Sequence, residues 1–434
     1  MIGIAPAVVG FLIMLGLMFL GLHVATAMFA VGLLGAAAYL GVPIINALGT
    51  QLWNVTDNFV LLAVPMFVLL GELLVNCGST DRMYRALSDW FSPLPGGLLH
   101  TNIVASALFA AVSGSSVATA ATISTVALPA FRDRHYDVRL VLGSICAGAT
   151  LGILIPPSIN IIIYGAMTNT SVGRLYAAGV FPGIVLTLLF MGVVVVCCWI
   201  RPALAGKRAA SAPWADRLRR LLDLLPPIAI FVIVMGSIYA GWATPTESAA
   251  VGVMMALLLA AAYRSLSIRM LHECFLTTVN VTAMIMLIVA AAFYLNFVIG
   301  ILGIPQALAR FVGEIGATPI HMMWFLFLFY LLLGCFLETL SMMVGTIPVV
   351  FPLVLALGID PVWFGIFLVL MCEIALITPP VGMNLYVVQG IRREGSIADV
   401  IYGTLPFLLM MFVLTALLIY FPDLALWLPR VTFG

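Results

Sequence analysis

Charge is what this chain of 434 residues lacks most. Only 8% of it is Asp, Glu, Lys or Arg, where a soluble domain carries about 25%. That deficit excludes a water-soluble fold of any domain size. With 64% hydrophobic residues and a mean hydropathy of +1.22, the chain reads as a polytopic membrane protein. The period-2 alternation of outer-membrane strands is missing too, so the apolar runs are helices and not barrel strands. No basic residue precedes the first apolar stretch, "MIGIAPAVVGFLIML", which therefore reads as a retained helix and not a cleaved signal. The seven cysteines (Cys77, Cys146, Cys197, Cys198, Cys274, Cys335, Cys372) form no CxxC and no paired spacing, and are expected to be packed thiols. His23, His100, His135, His272 and His321 make no metal spacing. A net charge of +1 provides no basic surface for nucleic acid. No cofactor is expected.

What is present is a stretch of hydroxyls in an apolar setting, "AAVSGSSVATAATISTVALPAF" at 110–131. It belongs to a repeat. Pro156-Pro157 in "IPPS" recurs as Pro379-Pro380 in "ITPPVG", 223 residues on. The same shift takes Pro129 to Pro352, Asp137 to Asp360, and the tetrad 113–116 onto Phe336-Leu337-Glu338-Thr339. The chain thus reads as two copies of one unit, 1–200 and 224–434, joined by a linker at 201–223. Each unit has three apolar helices, a helical hairpin, an interrupted helix and a closing helix. In the first copy the three helices are 2–21, 24–41 and 59–76, followed by hairpin 96–131, broken helix 138–170 and closing helix 174–200. In the second they are 224–242, 246–264 and 277–299, followed by hairpin 318–357, broken helix 361–390 and closing helix 400–421.

If each hairpin enters and leaves on one side, a unit crosses the membrane five times and the second copy is inverted. The fold expected is all-α, with two inverted repeats, about ten transmembrane helices and two re-entrant hairpins. The basic residues fit that count. The loop Arg201 to Arg220 holds six Lys/Arg and should face the cytoplasm. Propagating from it puts Arg82, Arg85, Arg132, Arg134, Arg139, Arg264, Arg269, Arg392 and Arg393 inside as well. Only Arg174, Arg310 and Arg430 fall outside, a split of 15 to 3 over all 18 basic residues. Both termini are then outside. Inverted repeats with discontinuous helices mark secondary transporters.

In this frame the tip Ser113 to Ser116 points to mid-membrane, and the tip at Glu338-Thr339 descends to meet it. Non-helical backbone survives at that depth only inside protein or against a wet cavity. Facing the tips are the double-proline breaks. Proline inside a helix removes a donor and frees a carbonyl, so the breaks offer oxygens beside the tip hydroxyls. Such oxygens suit a hard monovalent cation, and helix N-termini suit an anionic group. No Lys or Arg lies in the predicted helix centres, so bound cations, helix ends and hydroxyls must neutralise an anionic substrate. Small residues at 118–128 also serve close helix packing.

Other polar residues have plainer readings. In "ATPTESAAVG", Thr244, Pro245 and Glu247 make a helix-capping box. Glu72 and Glu373 lie in apolar helices, where an ionisable group is a functional candidate. Glu72 is close to a helix end, and Glu373 comes five residues before Thr378. "DRMYRALSDWF" (81–91) and "RSLSIRMLHECF" (264–275) read as amphipathic arms on the cytoplasmic surface.

The chain resembles the large membrane subunit of a TRAP transporter, the tripartite ATP-independent periplasmic type. The resemblance rests on "SGSSVATAATI", "GILIPPSINIIIYG", "AGVFPG", "ATPTESAAVG", "CFLETLSMM" and "ITPPVGMNLYV", spread over the whole chain. It implies sodium-coupled uptake of an organic acid (dicarboxylate, keto acid, sugar acid or sialic acid) across the bacterial inner membrane by an elevator motion. It also implies a periplasmic substrate-binding protein and a small four-helix membrane subunit as partners. Carried onto this sequence, one sodium site lies between Ser113, Gly114, Ser115, Ser116 and the break Ile155, Pro156, Pro157, Ser158. The other lies between Glu338, Thr339 and the break Thr378, Pro379, Pro380. The family often has Asp near the position of Glu338. The substrate is assigned to Ser115, Ser116, Thr119, Asn160, Thr339, Gly382 and Asn384. Two other classes compete: a self-sufficient sodium/dicarboxylate symporter of similar hairpin architecture, and an intramembrane hydrolase using Ser115 or Ser116. The hydrolase needs a base within hydrogen-bond reach, which only His100 or His321 would supply. A channel fits inverted hairpins less well than alternating access does.

Overall fold

The computed structural model of the chain describes residues 4–131, 134–206, 213–314, 316 and 318–434. Arg132, Lys207 and Arg208, which enter the inside tally, lie outside the described residues. Among the described residues every regular element is helical. Eight helices are long and apolar enough to cross a membrane, and six shorter apolar helices accompany them. Length alone does not separate crossing from re-entrant helices here. Ile4–Phe19 and Val24–Tyr39 have 16 residues each, about 24 Å of helix. The hairpin arm Thr339–Ala356 has 18. The expected figure of about ten crossings therefore does not follow from the helix lengths.

Both hairpins and both interrupted helices are present. The first hairpin is Gly97–Ser113 and Ser116–Phe131, and the second is Pro319–Gly334 and Thr339–Ala356. The broken helices are Val138–Leu154 with Ile159–Thr168, and Pro361–Ile377 with Met383–Arg392. The 223-residue register falls on element ends: Ser116 and Thr339 open the second hairpin arms, and Leu154 and Ile377 close the helices before the breaks. Caps explain why. Asp137 accepts from the Leu140 amide at 3.0 Å, and Asp360 from the amides of Val362 and Trp363 at 2.7 and 3.1 Å. Each fills the orphan donors of a helix start.

Elsewhere the halves differ. In the first, Asn58 caps Val60 at 3.0 Å and separates Leu48–Thr56 from the helix that follows. In the second, the chain runs unbroken from Ile268 to Ile301, 34 residues. This corrects the expectation of a separate arm at 264–275 and of a helix starting at 277. Ser267 caps Met270 at 3.1 Å and Arg269 pairs with Glu273 at 2.9 Å, so the polar stretch is the first turns of a long helix. The arm at 81–91 is a separate helix, Ser79–Phe91, with Met83, Tyr84, Ala86 and Leu87 buried. Its counterpart, Ile304–Glu314, went unnoticed in the sequence. The capping box is formed: the Thr244 amide donates to Glu247 Oε2 at 2.8 Å, and the Glu247 amide to Thr244 Oγ1 at 3.3 Å.

Ion pairs gather the loops into two ends. Arg220 meets Asp89 at 2.7 Å, Arg82 meets Asp223 at 4.0 Å, and Asp399 holds Arg139 at 3.1 Å and Arg392 at 3.4 Å. At the opposite end, Tyr239 packs on Phe433 with centroids 6.4 Å apart, and Arg430 pairs with Asp423 at 2.6 Å. Between the ends, Val138–Leu154 presses against Ile397–Tyr420 at Gly143 and Gly403, where a Cβ on either would strike the other helix's backbone.

That contact gives the first prediction. Gly403→Val should lower the unfolding midpoint in detergent by an amount equivalent to about 1–3 kcal/mol, the usual effect of overpacking. Gly192→Ala, at a glycine with nothing within 4 Å, should melt like the parent. Equal melting of all three proteins would mean the two helices are not pressed together.

Candidate functional site

The first hairpin turns at Gly114, whose φ of 61° is the left-handed region that glycine tolerates best. The turn is packed on three sides. A Cβ on Gly114 would lie 2.7 Å from the Pro157 carbonyl oxygen, one on Gly152 would lie 3.0 Å from Ser115 backbone, and one on Gly71 would lie 3.1 Å from Ser113 backbone. The tip therefore sits directly on the first break, and a carbonyl of the proline pair faces it. The peptides Pro156-Pro157 and Pro379-Pro380 are both cis.

Inside the tip, Thr119 Oγ1 donates to the Ser115 carbonyl at 2.7 Å and lies 3.2 Å from Ser113 Oγ. Ser116 Oγ accepts from Asn384 Nδ2 at 2.8 Å, a bond that ties the second broken helix to the first tip. The Asn384 amide also reaches the Cys146 carbonyl at 3.4 Å. Ser158 Oγ, Asn160 Nδ2 and Asn384 Oδ1 are buried and have no hydrogen-bond partner among the described residues. Buried polar atoms in proteins are nearly always partnered, so the unpartnered Ser158 and Asn384 oxygens are suited to an ion or to water, and the Asn160 amide nitrogen to an acceptor.

The second tip is built differently. Glu338 caps its arm, accepting at Oε2 from the Ser341 amide (3.0 Å) and hydroxyl (3.2 Å), and at Oε1 from the Thr339 hydroxyl (3.0 Å). The tip is joined to the second broken helix by Val381 N–H donating to the Cys335 carbonyl at 3.2 Å. A Cβ on Gly334 would lie 2.7 Å from Ala375 Cβ. Thr378 Oγ1 donates to the Ile374 carbonyl at 2.6 Å, and the Pro380 carbonyl accepts from Tyr386 OH at 3.0 Å.

Both tips open onto one cavity of about 650 Å³. Ser113 to Ser116, Asn160, Glu338, Thr339 and Ser341 line it, and no Lys or Arg does. Of the residues assigned to the substrate, Ser115, Ser116, Asn160 and Thr339 line the cavity. Thr119, Gly382 and Asn384 do not; Thr119 and Asn384 are fully buried behind it. Ile155 to Ser158 and Thr378 to Pro380 are not on this wall; Ile155 and Pro156 line a separate apolar pocket, and Pro380 is exposed. Glu72 is on the wall. Residues missed in the sequence complete it: His23 and Leu22 from the turn after the first helix, and Val281, Met284, Ile285 and Ile288 from the long helix. Only Gly71 and Gly152, small residues within apolar helices, carried a signal of close approach. The two histidines that a hydrolase would need are engaged elsewhere. His100 Nε2 is 3.0 Å from the Pro95 carbonyl, and His321 Nδ1 is 2.9 Å from Thr318 Oγ1. The seven cysteines are unpaired, and no cluster of three His, Cys, Asp or Glu occurs among the described residues.

The second prediction tests the bridge between the halves. In a thermal-stability cycle of Ser116→Ala, Asn384→Ala and the double variant, the coupling should be about 1 kcal/mol. Strict additivity would mean that the Ser116–Asn384 bond does not form.

Residues 11–424 match the family described as the tripartite ATP-independent periplasmic transporter, DctM component. The sialic acid TRAP transporter large permease SiaM of Vibrio cholerae is 35% identical over 394 residues, covering 90% of this chain and 91% of that protein. The C4-dicarboxylate permease DctM of Pseudomonas aeruginosa is 34% identical over 387 residues, covering 89% and 90%. The ectoine/5-hydroxyectoine permease UehC of Ruegeria pomeroyi is 31% identical over 376 residues, covering 86% and 87%. In fold, the chain is similar to the YdaH transporter of Alcanivorax borkumensis, with a TM-score of 0.61 at 14% identity, covering 86% of this chain and 88% of that one.

Proposed function

The chain belongs to the DctM-component family of tripartite ATP-independent periplasmic transporters, and we propose that it works there as a sodium-coupled permease for an organic acid. The observation that carries this reading is the convergence of two hairpin tips on one cavity without Lys or Arg, each tip packed on a helix break. A carboxylate in that cavity needs positive charge, and the donor set is hard oxygen, which suits sodium. At the first break the donors are the Ser113, Ser115 and Ser116 hydroxyls with the Pro157 carbonyl. At the second they are the Thr339 and Thr378 hydroxyls and nearby carbonyls, since the Glu338 carboxylate is engaged as a cap. Sodium, when bound, supplies the charge that the substrate anion faces.

The two units are taken as inverted copies, with the end holding Arg82, Arg139, Arg220 and Arg392 in the cytoplasm by the excess of basic residues there. Both termini are then periplasmic in a bacterial inner membrane. The tip-bearing core is proposed to move as an elevator against the remaining helices. A periplasmic binding protein delivers substrate, and a small four-helix subunit completes the membrane part. Relatives named for sialic acid, C4-dicarboxylates and ectoine support the reading of the substrate as a small carboxylate.

Thr378→Val keeps shape and removes one oxygen. Sodium required for half-maximal uptake in proteoliposomes should rise about five- to a hundredfold, the effect of roughly 1–3 kcal/mol. Pro379→Ala, which lets the helix re-form, should be worse and not be rescued by high sodium. Uptake indifferent to sodium in the parent protein would overturn the coupling, and uptake without any binding protein would favour a self-sufficient symporter. For orientation, single cysteines at the exposed positions Trp214 and Val431 can be placed in a background without native cysteines. An impermeant maleimide outside intact cells should label position 431 and spare 214. The reverse pattern would overturn the topology.

A further inference from the structure

Glu373 stands in the helix Pro361–Ile377, before the second break, and is completely buried at 0% exposure. Neither carboxyl oxygen has a hydrogen-bond partner among the described residues. The backbone of Leu154, the last residue before the first break, lies beside the carboxyl. Glu373 is therefore wedged where the two broken helices meet, with a break on either side of it. At the matching register of the first unit, 223 residues earlier, stands Thr150. Its hydroxyl is satisfied within its own helix, donating to the Ala147 carbonyl at 2.8 Å. The acid is thus peculiar to one half and serves no cap. Packing does not call for it, since an apolar helix face is filled better by Leu or Met.

An unpaired carboxylate at this depth is costly unless a positive charge lies close by. No Lys, Arg or His pairs with it. The nearby features that would hold a positive charge are the first break and its unpartnered Ser158 hydroxyl, which is also fully buried. We propose that Glu373 supplies the negative charge of the cation-binding core, acting through the protein interior on a monovalent cation held at the first break. This rests on the sodium-coupled reading above. It adds what that reading lacks, a counter-charge that is set up when the cation binds, in a core whose other oxygens are neutral or engaged in capping. Glu373 is on this view a positioning residue, since it lies behind the cavity wall and does not touch substrate.

The test uses the purified full-length chain and compares the parent with Glu373→Gln and Glu373→Asp. Two readouts are taken: the rise in melting temperature on replacing potassium by sodium, and the sodium concentration for half-maximal uptake with partners reconstituted. Glu373→Gln should melt like the parent in potassium, because a buried carboxyl without a cation beside it takes up a proton and Gln replaces that neutral acid closely. It should lose most of the sodium-induced rise and need at least about tenfold more sodium for uptake. Glu373→Asp keeps the charge and should retain the sodium-induced rise. A purely structural role would show the opposite: lower melting in potassium for Gln, with the sodium-induced rise intact, and that result overturns the proposal. If the parent itself shows no sodium effect on melting or uptake, the sodium-coupled reading fails and this assignment with it. If the parent responds and Gln matches it, only the role of Glu373 fails.

Discussion

A backbone amide or carbonyl that leaves a helix inside an apolar slab has no water to turn to, and must find its partner in the protein. Among the described residues the two hairpin tips and the two double-proline breaks leave helical structure in the midst of packed apolar helices. The rest of the architecture answers to that constraint. Tips and breaks are paired because each supplies what the other lacks. The Pro157 carbonyl faces the Gly114 turn, and the Val381 amide bonds the Cys335 carbonyl. Small residues at Gly71, Gly152 and Gly334 are needed so that a helix backbone can come close enough to enclose each turn. The same close packing recurs at Gly143 and Gly403, which press the first broken helix against the last long helix.

The sequence made that frame legible through its repeat, and the repeat turns out to be a register of helix caps. Asp137 and Asp360 each cap a broken helix. Ser115 and Glu338 occupy matching positions at the tips, with Ser115 Oγ 3.4 Å from the Ala118 amide and Glu338 Oε2 3.0 Å from the Ser341 amide. Caps and prolines sit at fixed offsets from the helix ends that they define, so an offset of 223 could be read without knowing any contact. Less legible was whatever depended on tertiary packing. The stretch 264–275 carries Arg, His and Glu and looks like a surface arm, yet nothing after Ser267 breaks a helix, so its greater part is the start of Ile268–Ile301. Its equivalent in the first half is broken, because Asn58 offers a cap.

At the site, residue types were legible and their directions were not. A threonine in a tip helix can face a cavity or turn inward. Thr119 turns inward, bonding the Ser115 carbonyl. Asn384 likewise points through the core to Ser116, 268 positions away, a pairing that no local spacing encodes. The wall formed by Val281, Met284, Ile285 and Ile288 comes from a helix whose sequence there looks merely apolar, since its place at the cavity is decided by the packing of other segments.

The common register also exposes where the halves part. One frame is used twice, but the first tip is capped by a neutral hydroxyl and the second by a carboxylate. A carboxylate that accepts three donors at 3.0–3.2 Å is already solvated by the protein, and can sit beside an apolar helix without a cation. Glu373 has no such donors. Of the two acids near the second break, then, one is stabilised by the folded chain alone and the other is not. The Glu338 cap is complete within the chain, whereas the buried Glu373 carboxyl, without donors of that kind, is stable only as the neutral acid or beside a positive charge. Glu373 also lies where the two broken helices pack on each other, one of several joins between the halves, beside the Ser116–Asn384 bond and the close approach of Gly143 to Gly403.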